Sequence, residues 1–187
     1  LGLDLSHNQI TTFSERFAMS TRNLLAFNIS YNRIVEFPDS FCNSESQVFQ
    51  LMRLIADFNQ LQTLPPSLLS TPLMEHFSVS NNHLVSLPPF KWGKLKNFNV
   101  AFNQLQEIPD CFSTSSFLTD INISFNRLSS LPNSMKNCRK VDVFIACGNE
   151  FKAIPRPVMC FSQLRVLSMG GNQLTSLPKG FGSFFFL

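Results

Sequence analysis

The sequence lacks the long apolar runs, charge runs and sorting signals that would indicate a membrane or nucleic-acid protein. No apolar stretch approaches the roughly 18 residues of a membrane-spanning helix, and the start, LGLDLSHNQI, has neither a basic segment nor a small-residue cleavage site. The 15 basic and 12 acidic residues are scattered, so the net charge of +3 builds no basic patch. We therefore expect no nucleic-acid partner and no membrane insertion.

The motifs of the common catalytic and cofactor sites are also absent. The chain contains no GxxxxGK[ST], GxGxxG, HExxH, DxDxDG or GxSxG pattern. Of its three histidines, His76 and His83 lie in one stretch but on opposite sides of its expected turn, and His7 lies far away in sequence. We predict no enzyme activity within these residues, with no catalytic residue, no metal site and no cofactor.

Cysteine is sparse and does not form a disulfide pattern. The five cysteines form neither a CxxC pair nor a terminal cluster, and they are Cys42, Cys111, Cys138, Cys147 and Cys160. An odd, scattered set favours reduced thiols and a cytoplasmic protein. Two glycosylation sequons, at Asn28 and Asn122, favour the alternative of a secreted or cell-surface protein, although both arise from the repeated lettering described next.

One stretch, residues 118–132 with the sequence LTDINISFNRLSSLP, returns along the whole chain. Its apolar residues alternate over Ile121 and Ile123, which predicts a very short strand, and Asn126 then marks a change of direction. The equivalent asparagines are spaced 24, 27, 23, 21, 23, 23 and 23 residues apart, and they are Asn8, Asn32, Asn59, Asn82, Asn103, Asn126, Asn149 and Asn172. The chain is therefore predicted to be a periodic array.

A period in the twenties with the pattern LxxLxLxxNxL resembles the leucine-rich repeat family. The closing prolines and the 23-residue step are most similar to its intracellular, Ras-suppressor-like subclass, which is also found attached to protein phosphatase 2C or adenylyl cyclase domains. The prolines are Pro38, Pro65, Pro88, Pro109, Pro132, Pro155 and Pro178. The resemblance implies an α/β leucine-rich repeat solenoid, curved, with short parallel β-strands on the concave face and irregular or 3-10 segments on the convex face.

The resemblance also implies a function. It predicts a protein-protein interaction scaffold that binds a partner protein on its concave face in intracellular signalling. Two alternatives stay open: a targeting or regulatory segment of a larger signalling enzyme such as a protein phosphatase 2C, and an extracellular receptor ectodomain. The sequence leaves the partner's identity and the oligomeric state undetermined.

We expect residues 1–187 to form a single array of eight repeats. Leu187 stands where a ninth repeat would open, so the chain is expected to be a piece of a longer protein. The limb over residues 39–50 is lengthened, and that over residues 89–94 is shortened and carries Trp92, the only tryptophan. Either a second binding surface or a tolerated change of loop length would explain these two limbs.

The inward positions are rich in phenylalanine, which predicts a continuous spine of rings along the solenoid. These residues are Phe27, Phe77, Phe98 and Phe144 in the strands and Phe17, Phe41, Phe112 and Phe181 on the returning limbs. The eight landmark asparagines are expected to be structural, because an amide can donate to and accept from the backbone of the turn at once.

Three columns of residues are predicted to face outward on the concave side. The column before the asparagines is His7, Tyr31, Phe58, Asn81, Phe102, Phe125, Gly148 and Gly171. The column before that is Ser6, Ser30, Asp57, Ser80, Ala101, Ser124, Cys147 and Gly170. A third is Arg53, His76, Asn97, Asp120, Val143 and Val166.

Exposed aromatic and charged residues in neighbouring columns are typical of a protein-binding surface. We predict that the partner binds at Tyr31, Arg53, Asp57, Phe58, His76, Phe102, Asp120 and Phe125. The alternative is that the aromatic residues merely cover the edge of the strands.

Overall fold

Eight short parallel strands follow one another along the chain and form one sheet. The structure is a computed structural model of the 187-residue chain and describes residues 1–20, 23–42 and 50–183. The strands are β1 (Gly2–Asp4), β2 (Ala26–Asn28), β3 (Arg53–Ile55), β4 (His76–Ser78), β5 (Asn97–Asn99), β6 (Asp120–Asn122), β7 (Val143–Ile145) and β8 (Val166–Ser168). Each pairs with the next in parallel, so the order in the sheet is the order in the chain. The predicted solenoid of short parallel strands is therefore observed.

The strands are short because only two inward positions alternate before the chain turns. From β2 to β7 the middle residue of each strand is at most 1% exposed, as for Phe27 and Ile121. The residue two positions later is also fully buried, as for Ile29 and Ile123. Two inward residues per repeat, stacked over neighbouring strands, give a core that runs along the array and not a single central core.

The returning limbs contain short helices, and the 3-10 helices among them begin after the closing proline of the repeat. The helices are α1 (Glu15–Ser20) and the 3-10 helices Pro66–Ser70, Asn133–Asn137, Arg156–Cys160 and Phe181–Ser183. Pro65, Pro132 and Pro155 stand at the N-caps with φ between −69° and −61°. Proline prefers this φ and has no N–H to leave unpaired, so it is well suited to the start of a helix. The predicted irregular or short helical segments are confirmed.

Apart from Phe151, the rings in and against the core form three separate clusters among the described residues, so the prediction of a continuous spine is wrong. One contains Phe13, Phe17, Phe27, Phe37 and Phe41, a second contains Phe77, Phe90, Trp92, Phe98 and Phe112, and a third contains Phe144 and Phe161. The clusters are separated because the middle residue is aliphatic in β3 (Leu54) and in β6 (Ile121).

Trp92, on the shortened limb, belongs to the core and not to a second binding surface. Its side chain is 1% exposed. Its ring stacks on Phe90 with 4.1 Å between centroids. Its Nε1 donates to Thr71 Oγ1 at 3.1 Å, which satisfies its one polar atom. The shortened limb is therefore a change of loop length that this ring fills.

The landmark asparagines bond to the backbone of two repeats at once. Asn126 Nδ2 donates to the carbonyls of Ile123 and Ser124 in its own repeat and to that of Val100 in the preceding one, at 3.0–3.2 Å. Its Oδ1 accepts from the N–H of Leu105, also in the preceding repeat, at 3.0 Å. The same pattern is made by Asn32, Asn59, Asn82, Asn103, Asn149 and Asn172.

Asn8 differs, since it is exposed and, among the described residues, donates only to carbonyls of its own repeat, those of Leu5 and Ser6. Residues 43–49 of the lengthened limb and Leu187 lie outside the described residues. The single array of eight repeats over residues 1–187, as part of a longer chain, stays a prediction.

Within the described ranges, no helix has the length and apolar character required to cross a membrane.

Candidate functional site

The residue before each landmark asparagine adopts a left-handed backbone conformation. The eight positions have φ between 53° and 67°, and they are His7, Tyr31, Phe58, Asn81, Phe102, Phe125, Gly148 and Gly171. Glycine and asparagine reach this region readily, whereas other residues pay roughly 1–2 kcal/mol. Five of the eight positions nevertheless carry a ring, and we call His7, Tyr31, Phe58, Phe102 and Phe125 the aromatic ladder.

Backbone hydrogen bonds to the next repeat hold the ladder in this conformation. The N–H of Phe102 donates to the carbonyl of Ser124 at 2.8 Å, and the N–H of Phe58 donates to that of Ser80 at 2.9 Å. The carbonyl of Phe102 in turn accepts from the N–H of Asn82 in the preceding repeat at 3.2 Å. The geometry is therefore imposed by the stacking of repeats and does not depend on the side chain at the position.

The rings of the ladder stack on one another. The centroids are 4.3 Å apart between His7 and Tyr31, 4.3 Å apart between Tyr31 and Phe58, and 4.4 Å apart between Phe102 and Phe125. The planes are within 15° of parallel in all three pairs. The stack is broken at Asn81, so it consists of one group of three rings and one group of two.

The ladder remains open to solvent despite this stacking. Tyr31, Phe58, Phe102 and Phe125 are 43–50% exposed, the range of a half-covered surface residue. At the far end, the Phe125 ring lies over Gly148, where an added Cβ would come within 2.7 Å of Phe125 Cδ1. Four large exposed rings thus follow one column of the sheet as two apolar pairs on either side of Asn81, and exposed apolar groups of this kind mark interaction sites.

Three of the predicted contact residues, Arg53, His76 and Asp120, lie on strands β3 to β6 of the open face, by which we mean the sheet face turned away from the core. Strand register places Arg53 next to His76, and one strand, with Asn97, separates His76 from Asp120. Arg53 is exposed, whereas His76 and Asp120 are half-buried. Burial and the nearby Arg53 charge lower the pKa of His76 below its ordinary value, against a raising effect of the hydrogen bond with Asn97. His76 is therefore expected to be neutral at pH 7.

Asp57 lies between the ladder and the strands and is half-buried. Its Oδ1 accepts from the N–H of Ser80 and from Ser78 Oγ in the next repeat, both at 2.6 Å. It makes no ion pair with any described cation. Asp57 therefore joins two repeats through one carboxylate oxygen and leaves the other oxygen without a protein donor in the described chain.

The column that contains Asp57 was predicted to face outward, and this is wrong for four of its eight members. Ser30, Ser80, Ala101 and Ser124 are at most 6% exposed. The chain has already begun to turn at this position, so these small side chains pack under the turn and do not project from the sheet.

The outward column that sequence reasoning missed is the third residue of each strand. It comprises Asp4, Asn28, Ile55, Ser78, Asn99, Asn122, Ile145 and Ser168. In Asn28 and Asn122 the Oδ1 accepts the N–H of the serine two residues on, at 3.1 Å. These are the two sequon asparagines, and each closes a local turn at the end of its strand. Strict alternation from the first strand residue would have found this column.

The described residues contain no group of three His, Cys, Asp or Glu side chains that could hold a metal ion. The five cysteines are free thiols. Burial is the main cause that raises the pKa of Cys42 and of Cys138 to about 12 and that of Cys111 to about 11. These three are thus packing groups and not reactive ones.

The chain matches one protein-family model and is similar to several curated proteins. The profile of the family described as Leucine Rich Repeat matches residues 163–184. The chain is 28% identical over 208 residues to leucine-rich repeat serine/threonine-protein kinase 1 of Mus musculus, covering 96% of this chain and 10% of the kinase. It is 28% identical over 190 residues to fibromodulin of Rattus norvegicus, covering 89% of this chain and 45% of fibromodulin. The chain thus spans less than half of either relative.

Solved structures share the architecture. The leucine-rich effector protein YopM of Yersinia pestis aligns with a TM-score of 0.70 at 24% identity, over 95% of this chain and 51% of that one. A leucine-rich repeat protein of Leptospira interrogans aligns with a TM-score of 0.68 at 23% identity, over 96% of this chain and 51% of that one. A chain in the structure of PEPR1-AtPEP1 aligns with a TM-score of 0.68 at 22% identity, over 91% of this chain and 28% of that one. At these identities the likeness shows the fold alone, and the predicted α/β solenoid is confirmed.

Proposed function

We propose that this chain, whose fold is that of leucine-rich repeat proteins, is an interaction scaffold that binds a partner protein on the open face of its sheet. The proposed contact residues are Tyr31, Arg53, Asp57, Phe58, His76, Phe102, Asp120 and Phe125. The observation that carries the proposal is the exposed aromatic ladder, in which large rings occupy backbone positions that glycine fills without strain elsewhere in the same column. Rings held rigidly at the surface lose little entropy on binding and serve well as anchors.

The neighbouring strands add polar groups to the aromatic ladder. Arg53 and Asp120 lie three repeats apart, with His76 on a strand between them, so charges of both signs lie beside the ladder. An apolar centre with a mixed polar rim is the usual anatomy of a protein interface. A protein ligand is therefore favoured over a small molecule or a polymer whose charges all have the same sign.

The decisive experiment is capture of partner proteins by the full-length protein and by its double variant Phe102→Ala and Phe125→Ala. We expect the partner's affinity to fall by about thirtyfold, which corresponds to about 2 kcal/mol, because two central anchors are truncated. The melting temperature should change little, since both rings are exposed.

The matched control is Phe117→Ala. Phe117 is 49% exposed, close to the values of the two ladder residues, but it lies before β6 and outside the ladder, with Lys140 Nζ 4.8 Å from its ring centroid. It should not affect partner capture. Capture that is equally strong for the wild type and the double variant would refute the proposal, and a double variant that fails to fold would place the rings in the core.

We propose further that the scaffold acts in intracellular signalling. The similarity to a protein kinase supports this, because the match spans 96% of this chain but only 10% of the kinase, as for an interaction segment of a larger signalling enzyme. The free thiols support a cytoplasmic location, although sequence similarity to fibromodulin leaves a secreted or cell-surface protein as the alternative. The full-length sequence distinguishes these possibilities by an attached catalytic domain or by an upstream signal peptide.

A further inference from the structure

The break in the aromatic ladder at Asn81 leaves a notch of defined size, and we propose that this notch binds the guanidinium group of a partner's arginine side chain. This inference rests on the proposed function, because it names a chemical group that the partner would present to the open face. The notch is bounded by Phe58 on one side and by Phe102 on the other, with Asn81 at its base.

The width of the notch follows from the spacing of the strands. Phe58 and Phe102 are two repeats apart, so their rings are separated by about 9–10 Å, twice the roughly 4.8 Å between neighbouring strands. The stacked pairs in the ladder have spacings of 4.3–4.4 Å. One planar group therefore fits between the two rings and contacts both.

The depth of the notch follows from covalent structure. An asparagine side chain ends at its amide, at the level of the Cδ atoms of phenylalanine, so the outer half of each flanking ring stands above Asn81. Each of these rings has one face covered by its stacked neighbour, Tyr31 or Phe125, and the other face turned towards the notch. The walls of the notch are thus two aromatic faces.

The chemistry of the walls and base favours a cation with several donors. Aromatic faces carry the negative part of the ring quadrupole and attract a cation within about 6 Å. Asn81 Nδ2 donates to Ser80 Oγ at 3.3 Å, while its Oδ1 accepts no hydrogen bond from the described residues. Asp57, which bonds to the N–H of Ser80 beside the notch, has an Oδ2 with no donor in the same part of the chain.

Two unused acceptors, one of them a carboxylate oxygen, and two ring faces select guanidinium among protein groups. Guanidinium is planar, stacks on aromatic faces and donates five N–H groups in its own plane. A lysine ammonium would match the charge but not the flat space. A phenylalanine ring would match the space but would leave both acceptors unpaired.

The test uses the blocked pentapeptide Ac-Gly-Gly-Arg-Gly-Gly-NH2 as the probe, titrated into full-length protein with 13C-labelled phenylalanine and followed by NMR. We expect saturable shifts of the Phe58 and Phe102 ring signals with a Kd in the millimolar range, as for a single cation at an open site. The lysine analogue should bind about fivefold more weakly, and the neutral citrulline analogue, which keeps the planar shape, should produce no saturable shift.

Two variants test the location of the site. Asn81→Phe closes the notch with a ring in a conformation that phenylalanine already adopts at positions 58, 102 and 125, so it should fold and should weaken the arginine probe by about tenfold or more. Asp57→Asn keeps the Oδ1 acceptor for Ser78 and Ser80 but removes the charge, and should weaken the probe by about threefold.

Three results would overturn the proposal: an arginine probe that shifts neither ring, one that binds Asn81→Phe as well as the wild type, or a phenylalanine analogue that binds as tightly as arginine. Partner capture separates this failure from failure of the proposed function. If Asn81→Phe retains the partner while the Phe102/Phe125 double alanine variant loses it, the notch proposal fails and the scaffold proposal stands. If the double variant also retains the partner, the scaffold proposal fails.

Discussion

Replacement of Asn126 by alanine is expected to destabilise the whole array through one orphaned backbone group. The three carbonyls that accept from Asn126 Nδ2 each keep a second donor. Val100 O still accepts from Asn103 Nδ2 at 3.1 Å, Ile123 O from Asn149 Nδ2 at 3.0 Å, and Ser124 O from a backbone N–H at 2.8 Å. These carbonyls are therefore weakened but not left unpaired.

The N–H of Leu105 has no such replacement. It donates to Asn126 Oδ1 at 3.0 Å, and Leu105 is fully buried, so alanine leaves this donor without an acceptor. An unsatisfied buried donor costs about 1–3 kcal/mol. For a chain of this size each kcal/mol lowers the melting temperature by about 2–4 °C. We expect Asn126→Ala, and equally Asn103→Ala, to melt about 2–12 °C below the wild type.

Thermal unfolding followed by far-ultraviolet circular dichroism measures this directly. Gln104→Ala is one control, because its half-buried side chain makes no hydrogen bond among the described residues. Asn8→Ala is the sharper control, because the same amino acid at the equivalent repeat position accepts from no backbone N–H and is exposed. If Asn126→Ala and Asn8→Ala shift the melting temperature equally, the reasoning from the orphaned Leu105 N–H is wrong.

Three further predictions address thiols, backbone conformation and pH. Thiol counting under denaturing, non-reducing conditions should find five free thiols, and a count below five would contradict the cytoplasmic proposal. In the native protein a thiol reagent should react first at the exposed Cys160, because burial raises the pKa of Cys42 to about 12. Gly148→Ala should cost about 1–2 kcal/mol, because φ is +63° and the new Cβ would displace the Phe125 ring; an unchanged Phe125 NMR spectrum would contradict this. The pKa of His76 should lie below 6.5 in the folded protein, so the unfolded state takes up the proton first as the pH drops through 6.5. The free energy of unfolding should therefore fall over this pH range, and a His76→Asn variant with the same pH dependence would refute this assignment.

The features of the fold that could be predicted from sequence are the inward positions and the structural asparagines, because the same residue types recur at the same place in every repeat. The inward positions follow from alternation between polar and apolar residues, as at Ile121 and Ile123, because burial has a single physical solution for such a short strand. The asparagines follow from the need to pair backbone groups where the strand ends. Both arguments concern one repeat at a time, and the other repeats then supply independent copies of the same observation.

The features that were missed arise between repeats or from backbone torsion. The buried rings form separate clusters because β3 and β6 carry Leu54 and Ile121 where other strands carry a ring. Counting the phenylalanines at inward positions does not show where the row of rings is interrupted. The left-handed conformation of the ladder is not visible in Phe58 or Phe102 themselves. The signal was present in Asn81 and the glycines of the same column, which are the residues that favour positive φ, but it was interpreted as a bare surface.

This conformation bears on why the ladder exists. The five rings in the left-handed region cost roughly 5–10 kcal/mol in all, whereas the three stacked pairs contribute only about 1.5–4.5 kcal/mol, so stacking does not offset the backbone cost. Gly148 and Gly171 adopt the same backbone conformation with φ of 63° and 67° and no ring at all. The fold therefore does not require rings at these positions. A strained and exposed row of aromatic residues that lowers the stability of the fold is the outcome expected when a surface is selected for contact with another molecule. This argument favours the ladder over the charged strand residues as the first place to mutate.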